Sequence, residues 1–507
     1  MPPAEGAVAP APRSTLAARL GAVPWPALAL AALAIATFVG FLIYPTYPNY
    51  DSYYSLIWGR EILHGHLPSF DGYRTPTEHP LAVFFGAALS LLGRHGDRVM
   101  VFCTEASFVV LCAGIYRLGR TAFTPLVGLA AAAILCTRFD FPFLAARAYI
   151  DIPYLAFVIW AAALELERPR RGGIVWVLLA CAGLLRPEAW LIIGLYFLWM
   201  CGGELGPEHR AHPPRERWIR WAKYATWAAI GPLVWVLMDF VVTGSPTFSL
   251  THTTGLAEEL GRTKGLAEVP DATRRFFLNL AKAPVLYAAI AGFLVALWLA
   301  PRRVVMPAAL WLIGTGTFVM VGVAGLSVID RYLLVPTLMV MVFAAFVLGG
   351  WTVLRPGLWT RRVWAAAALA VIVYGVVFTA TKVNFHNFDS ELTLRGNSHR
   401  SLVELLDRPD VKAAVARKCG PVSTPNHKLV PDTRWIVDGS DREVVARADP
   451  TQKARVARGG VSIFVVDRGA LLRQALVATT DDPFDNVPLP GYTKVASTGY
   501  YAAYVRC

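Results

Sequence analysis

Residues 25–44 read WPALALAALAIATFVGFLIY, and residues 45–54 continue PTYPNYDSYY. The first stretch is an uncharged apolar run of about 20 residues, the length that carries an α-helix across the hydrocarbon of a bilayer. It exceeds the apolar core of about 7–15 residues in a secretory signal and lacks a small-residue cleavage site, so it reads as a retained first membrane helix. The second stretch is rich in Tyr and Pro and holds Asp51. An acid at the mouth of a membrane helix is costly to keep, which makes it a functional candidate in its own right.

Working outward, the chain repeats the apolar pattern. Its 507 residues are 55% hydrophobic and 16% charged, with 16 Trp. A soluble domain of that composition lacks the polar surface to stay dissolved. The net charge of +13 does not indicate nucleic acid, because Lys and Arg gather in short turns between apolar runs, the topology signal of membrane proteins. With residues 1–24 as a cytoplasmic tail, about eleven crossings follow: 25–44, 99–118, 123–137, 152–166, 174–185, 189–200, 221–242, 284–300, 304–325, 332–354 and 363–380. The turns holding Arg117 and Arg120, Arg168 to Arg171, Arg210 to Arg220, Arg302 and Arg303, and Arg355 to Arg362 then fall inside. The agreement requires 81–92, too short to span, to lie along the outer interface. The expected fold class is a polytopic α-helical membrane protein of the plasma (inner) membrane. Its membrane domain covers 25–382, with outer loops 45–98 and 243–282.

From 383 to 507 charges are frequent and no run is long enough to cross. Apolar β-rich pieces at 461–466 and a hairpin over 492–505 alternate with helical pieces such as 401–417, the pattern of a small α/β domain. By topology it is extracytoplasmic. Cys419 and Cys507 both lie there, and an oxidising compartment permits a disulfide between them.

Polar residues with chemical potential collect on the expected outer face: Asp51 and Tyr54, Glu78 and His79, Arg147 and Asp151, Arg186 and Glu188, and Arg331 with Tyr332. Each has a plainer reading. Asp151 in a first helical turn favours the helix dipole, Arg186 and Glu188 form a local ion pair, and so do Asp330 and Arg331. Glu78 and His79 with Asp51 form a candidate divalent-metal set, since carboxylate and imidazole are common ligands. Walker, GxGxxG, HExxH and GxSxG elements are absent from the sequence. A transporter would place ionisable groups deep in several helices; only Glu105 and Asp239 stand there. A non-catalytic membrane scaffold is the other alternative.

The arrangement resembles the GT-C glycosyltransferases, in particular the group of protein mannosyltransferases and the aminoarabinose transferase of lipid A (glycosyltransferase family 39-like). The resemblance runs over about residues 25–205. Asp51 matches the acid that follows the first membrane helix, and EHPL at 78–81 matches a Glu-Pro-Pro-Leu-like element before an interfacial helix. Gly119-Arg120 matches an inner turn, Arg147 to Asp151 an Arg-x-x-x-Asp element, and Arg186-Pro187 a basic residue ending the fifth helix. His79 and Arg186 depart from the usual Pro and Lys. The resemblance implies transfer of a hexose or pentose from a polyprenyl-phosphate donor to a hydroxyl of a protein, lipid or glycan acceptor. It implies Asp51 as general base, with Asp151 or Glu78 orienting the acceptor or raising the Asp51 pKa. Arg147, Arg186 and Arg331 would hold the phosphate, with Glu188, Tyr332, His79 and Tyr54 as further binding residues, and the loop 243–282 would cover the donor. No cofactor is required beyond a candidate divalent metal, and no nucleic acid is expected.

Overall fold

The computed structural model describes residues 25–70, 72–206, 213–382, 385–476 and 487–507. The expected cytoplasmic tail 1–24 and Arg210 lie outside the described residues. Every expected apolar run folds as a helix. Among the described residues, six are long and apolar enough to cross a membrane: Trp25–Ile43, Gly93–Ala122, Pro214–Thr243, Pro301–Val323, Asp330–Val353 and Trp359–Thr381. Two bent pairs raise the number to eight: Pro125–Cys136 with Asp140–Ala146, bent by 66°, and Leu266–Ala281 with Ala283–Leu299, bent by 101°. The remaining expected crossings are the shorter helices Asp151–Glu167, Ile174–Leu185 and Ala189–Gly203. Pro187 ends the second of these. A residue before proline is driven to extended backbone, and Arg186 adopts φ −146°, ψ 129°.

Burial separates the helices into two kinds. In Asp330–Val353, 89% of the apolar window is buried, against 0% in Trp25–Ile43 and 6% in Trp359–Thr381. A helix apolar on all sides and enclosed by its neighbours is core; one equally apolar but uncovered faces lipid. The central helices pack closely. A Cβ on Gly292 would meet the Phe343 carbonyl oxygen at 1.9 Å, so only glycine lets Ala283–Leu299 approach the core helix Leu334–Gly349.

Among the described residues, the segment 45–98 encloses only short helices. Its helix Pro80–Ser90 has 11 residues, about 16 Å at 1.5 Å per residue, short of the bilayer. It lies against the helix Tyr50–Leu63 through facing glycines: a Cβ on Gly86 would stand 2.3 Å from the Ser55 carbonyl oxygen, and one on Gly59 2.2 Å from the Ala87 nitrogen. The segment 243–282, expected as a polar outer loop, holds helical structure. It folds as the helices Phe248–Glu259 and Val269–Ala281, the second bent into the next span.

Near the carboxyl end lies a five-stranded sheet of β1 (Val422–Thr424), β2 (Val444–Ala446), β3 (Gly460–Val465), β4 (Thr493–Ser497) and β5 (Tyr501–Arg506), in the order β2-β1-β3-β5-β4. β2, β1 and β3 are parallel, in register Val444–Val422–Val461; β5 and β4 run antiparallel as the expected hairpin. The helical stretch expected at 401–417 is two helices, Phe385–Asp407 and Pro409–Ala416, because Pro409 breaks it. Cys419 and Cys507 form a disulfide that joins the entry to β1 with the chain end after β5. The sheet region docks on the helix Tyr50–Leu63 through Arg60–Asp438 (2.8 Å) and the buried Arg434–Glu61 pair (2.7 Å). His399 stacks on Tyr47 with ring centroids 4.4 Å apart. These contacts bring the loop after β1 over the segment that carries Asp51.

Candidate functional site

The PTYPNYDSYY segment is pinned before it becomes a helix. Pro45 and Pro48 hold it extended, and Asn49 caps the helix Tyr50–Leu63 by accepting from the Ser52 amide at 2.9 Å. The Asn49 amide donates to the Arg147 carbonyl (2.7 Å), and the Ser52 hydroxyl donates to the Ala148 carbonyl (2.5 Å). Two segments about a hundred residues apart in sequence are thereby fastened side by side, with Asp51 and Asp151 each in the first turn of its helix.

Arg331 completes the junction from a 3-10 turn, Asp330–Leu333. Its Nη1 lies 3.2 Å from Asp51 Oδ2 and 3.5 Å from Asp151 Oδ2. Arg186 pairs with the other Asp151 oxygen and, through Nη1, with Glu188 Oε1 at 2.8 Å. The result is an alternating chain, Asp51–Arg331–Asp151–Arg186–Glu188. Aromatic faces support its cations: Tyr149 lies 5.6 Å from the Arg331 guanidinium and Tyr332 6.0 Å from that of Arg186. Arg147 lies over the Tyr47 ring at 3.7 Å. The local Arg186–Glu188 pair is thus present but extended to Asp151, while Arg331 reaches across the fold to acids far from it in sequence.

This chain opens into a cavity of about 1270 Å³. Asp51, His79, Arg147, Arg186, Glu188, Arg331 and Tyr332 all line it. Asp151 is fully buried behind them and touches the cavity only through the arginines it holds. Tyr54 lies elsewhere, in a smaller cleft of about 370 Å³ beneath the sheet region. Glu105 is buried in its helix, and it does not line the cavity.

Asp51 does not behave as the raised base expected from two neighbouring carboxylates. Burial pushes its pKa up, but Arg331 first, then His79 and Arg186, pull it below the usual carboxylate value. His79 is itself pushed down to about 4, chiefly by burial. The ring is therefore neutral near pH 7, and the arginines carry the effect there. A guanidinium standing between two acids removes the repulsion that would raise either.

The carboxyl group whose pKa is raised is Glu78, which stands beside Asp239. Ser249 Oγ lies 2.8 Å from Glu78 Oε1 and 2.8 Å from Asp239 Oδ1. One hydroxyl hydrogen cannot serve both acids, and Trp235 Nε1 also donates to that oxygen (3.0 Å). Glu78 is pushed up to about 9 by burial and then by Asp239, so it carries the proton. It is fully buried and fastens the segment before Pro80 to the helix Phe248–Glu259. Glu78 therefore does not join Asp51 and His79 as a metal ligand, and no set of three His, Cys, Asp or Glu side chains gathers around a metal position among the described residues.

Sequence reasoning did not place Trp190, Trp235, Arg262, Arg395, His427, Lys428 or Asp432 on this cavity, all of which line it. The last three come from the sheet region, and nothing local in the sequence links them to Asp51.

No family model and no curated protein matches the chain by sequence. Solved structures do match in fold. ArnT from Cupriavidus metallidurans bound to undecaprenyl phosphate aligns over 96% of this chain and 98% of its own, with TM-score 0.54 and 12% identity. The apo oligosaccharyltransferase of Archaeoglobus fulgidus aligns over 94% of this chain and 74% of its own, with TM-score 0.52 and 12% identity. The same organism's AglB, in complex with an inhibitory peptide and a dolichol-phosphate, aligns over 85% and 65%, with TM-score 0.51 and 13% identity. The chain has the GT-C type of fold: a multi-pass helical membrane bundle with a small α/β region at its carboxyl end.

Proposed function

We propose that this chain is a membrane glycosyltransferase that moves a sugar from a polyprenyl-phosphate donor to an acceptor hydroxyl, with Asp51 as general base. The observation that carries the reading is the placement of Asp51: a carboxylate 20% exposed at the floor of a large cavity, held by a guanidinium that an incoming phosphate can also claim. The fold neighbours solved with bound undecaprenyl phosphate and in complex with a dolichol-phosphate support the donor class.

In the reaction, the acceptor oxygen attacks the anomeric carbon and the bond from that carbon to the phosphate oxygen breaks. The phosphate leaves with the bonding pair, through an oxocarbenium-like state of the kind seen in glycoside chemistry. The acceptor proton passes to Asp51. Charge accumulates on the departing phosphate, where Arg331 and Arg186 offer planar, permanently charged donors. Asp151, inaccessible to substrate, positions both arginines.

The low pKa of Asp51 in the unloaded site fits this sequence. While Arg331 pairs with it, the carboxylate is ionised but weakly basic. A donor phosphate drawing Arg331 toward itself weakens that pair, and the Asp51 pKa moves up toward the range in which it accepts a proton more readily. The base is thus activated by the arrival of the donor. The distribution of basic turns supports an N-terminus in the cytoplasm, with the cavity and sheet region on the outer side of the plasma membrane, where the sugar of a lipid-linked donor would be presented. The acceptor class is protein, lipid or glycan.

The test is transfer from a panel of radiolabelled polyprenyl-phosphate sugars in membranes carrying the wild type or Asp51→Asn. The reading expects one donor to be used by the wild type and none by the variant. Equal incorporation by both would remove Asp51 as the base, and no incorporation from any donor would remove the donor class.

A further inference from the structure

The cavity has a second charged wall. Arg74, Arg262, Arg395 and Lys428 line it, with His427 among them. They come from four separate places: the segment before Pro80, the turn after the helix Phe248–Glu259, the helix Phe385–Asp407, and the loop after β1. The last position is topologically distinctive. β1 lies between β2 and β3 in the parallel part of the sheet, so the strand order reverses there. The carboxyl edge of such a reversal opens a crevice in which α/β sheets bind ligands.

Among the described residues this wall is short of counter-charge. There, Arg74 has only Glu259 as an acidic partner, at 3.7 Å, and its buried Nε makes no hydrogen bond. Arg395 is paired with Glu391 at 2.6 Å. Arg262 and Lys428 have no acidic partner among the described residues. The crowding acts on neighbours: burial, then Arg74, Lys428 and Arg262, push the His427 ring down to about 3, and its buried Nδ1 has no partner. Burial, then Arg395 and Arg262, hold Lys428 below the usual lysine value. Cations kept together in a cleft repel one another, and a bound anion relieves that repulsion.

Tyr50 ties this wall to the reacting end of the cavity. Its ring meets His427 edge-on at 5.5 Å, its hydroxyl donates to the Arg74 carbonyl at 2.7 Å, and Asp51 is the next residue. A ligand anchored on the wall shares the cavity with Asp51.

We propose that Arg74, Arg262, Arg395 and Lys428 form an anion subsite that receives a phosphate or carboxylate group of the acceptor, separate from the Arg186 and Arg331 positions. Naming the occupant as the acceptor rests on the transferase reading; the anion subsite itself does not. The consequence is selectivity: an acceptor bearing a negative charge near its reactive hydroxyl is preferred over its neutral counterpart.

Two measurements on the purified full chain in lipid nanodiscs test this. The first is calorimetric binding of inorganic phosphate with short-chain polyprenyl phosphate at saturation, so that the arginines beside Asp51 are occupied. The wild type should retain a phosphate-binding event, and the Arg262→Glu/Lys428→Glu double variant should lose it, as should the milder Arg262→Gln/Lys428→Gln. No residual binding in the wild type, or binding unchanged in both variants, overturns the subsite whether or not the chain transfers sugar. The second is transfer to a matched pair of acceptors, one hydroxylated and neutral, the other the same molecule carrying a phosphate. The double variants should raise KM for the phosphorylated acceptor by about tenfold or more, as expected on losing charge-assisted hydrogen bonds. KM for the donor and kcat on the neutral acceptor should stay unchanged. An equal loss on both acceptors would overturn the assignment of the occupant.

Discussion

Replacing Arg331 with Met removes the cation between Asp51 and Asp151 while keeping much of its apolar stem. Arg331 Nη1 lies 3.2 Å from Asp51 and 3.5 Å from Asp151, and its side chain is 25% exposed. Asp151 keeps Arg186 in the variant; Asp51 keeps no cation in contact. Deleting one member of a fully buried pair costs about 3–5 kcal/mol. Partial water access and the retained Arg186 reduce the expected loss of stability to about 2 kcal/mol. Catalysis should fall more steeply. A hydrogen bond to a charged group contributes about 1.5–3 kcal/mol, so losing one to the leaving phosphate lowers kcat/KM by about 10–150-fold. The pH profile gives the sharper test. Arg331 holds the Asp51 pKa below the usual carboxylate value, so the acid limb of kcat/KM, which reports the free enzyme, should lie below the usual carboxylate range in the wild type. In Arg331→Met burial is no longer opposed by that charge, and the limb should move to higher pH. Arg331→Lys should recover part of both effects. An acid limb that stays in place, or a kcat/KM unchanged by Met, would refute the argument that Arg331 governs Asp51.

Other outcomes follow from the same contacts. Glu78 is raised to about 9 from 4.5; the unfolded chain releases that proton first, so stability should fall as pH rises between those values. Glu78→Gln should flatten that dependence in thermal unfolding and leave the fold intact, whereas Glu78→Ala should lower Tm at every pH. Cys419→Ser should free Cys507 to thiol labelling and destabilise the sheet region by about 4.6 kcal/mol, the chain-entropy value for a sequence separation of 88 residues, read from urea unfolding or limited proteolysis. A cysteine placed at the exposed position Arg442 should react with a membrane-impermeant reagent added to intact cells; reaction only after permeabilisation would reverse the proposed topology.

The membrane architecture was legible because apolar run length and basic turns act locally: the WPALAL stretch and the Arg302-Arg303 turn can each be read alone. The end of the fifth helix was legible too: Pro187 sets the backbone of Arg186, and the run expected over 174–185 is the helix Ile174–Leu185. The helices within 243–282 were not legible because neither Phe248–Glu259 nor Val269–Ala281 forms a long apolar run. At the site, the residue types beside Asp51 were visible as outer-turn acids and arginines, but their pairing was not. Arg331 is 280 residues from Asp51, and only the fold decides that it stands between two carboxylates and lowers a pKa that proximity of acids alone would raise. Glu78 was assigned to the wrong neighbour for the same reason: its partner Asp239 comes from a membrane helix whose sequence does not show which way that acid turns. The contribution of His427 and Lys428 depends on the docking of the sheet region through Arg434 and Glu61, a contact between positions remote in sequence.

The most direct test of the account is the single-turnover rate of purified Asp51→Asn, pre-loaded with polyprenyl-phosphate sugar and acceptor, beside the wild type. Loss of a general base lowers the rate by about 10²–10⁴-fold. The account predicts a fall of that size with donor binding preserved and the unfolding temperature close to wild type. A variant that binds the donor and transfers the sugar at the wild-type rate would contradict it.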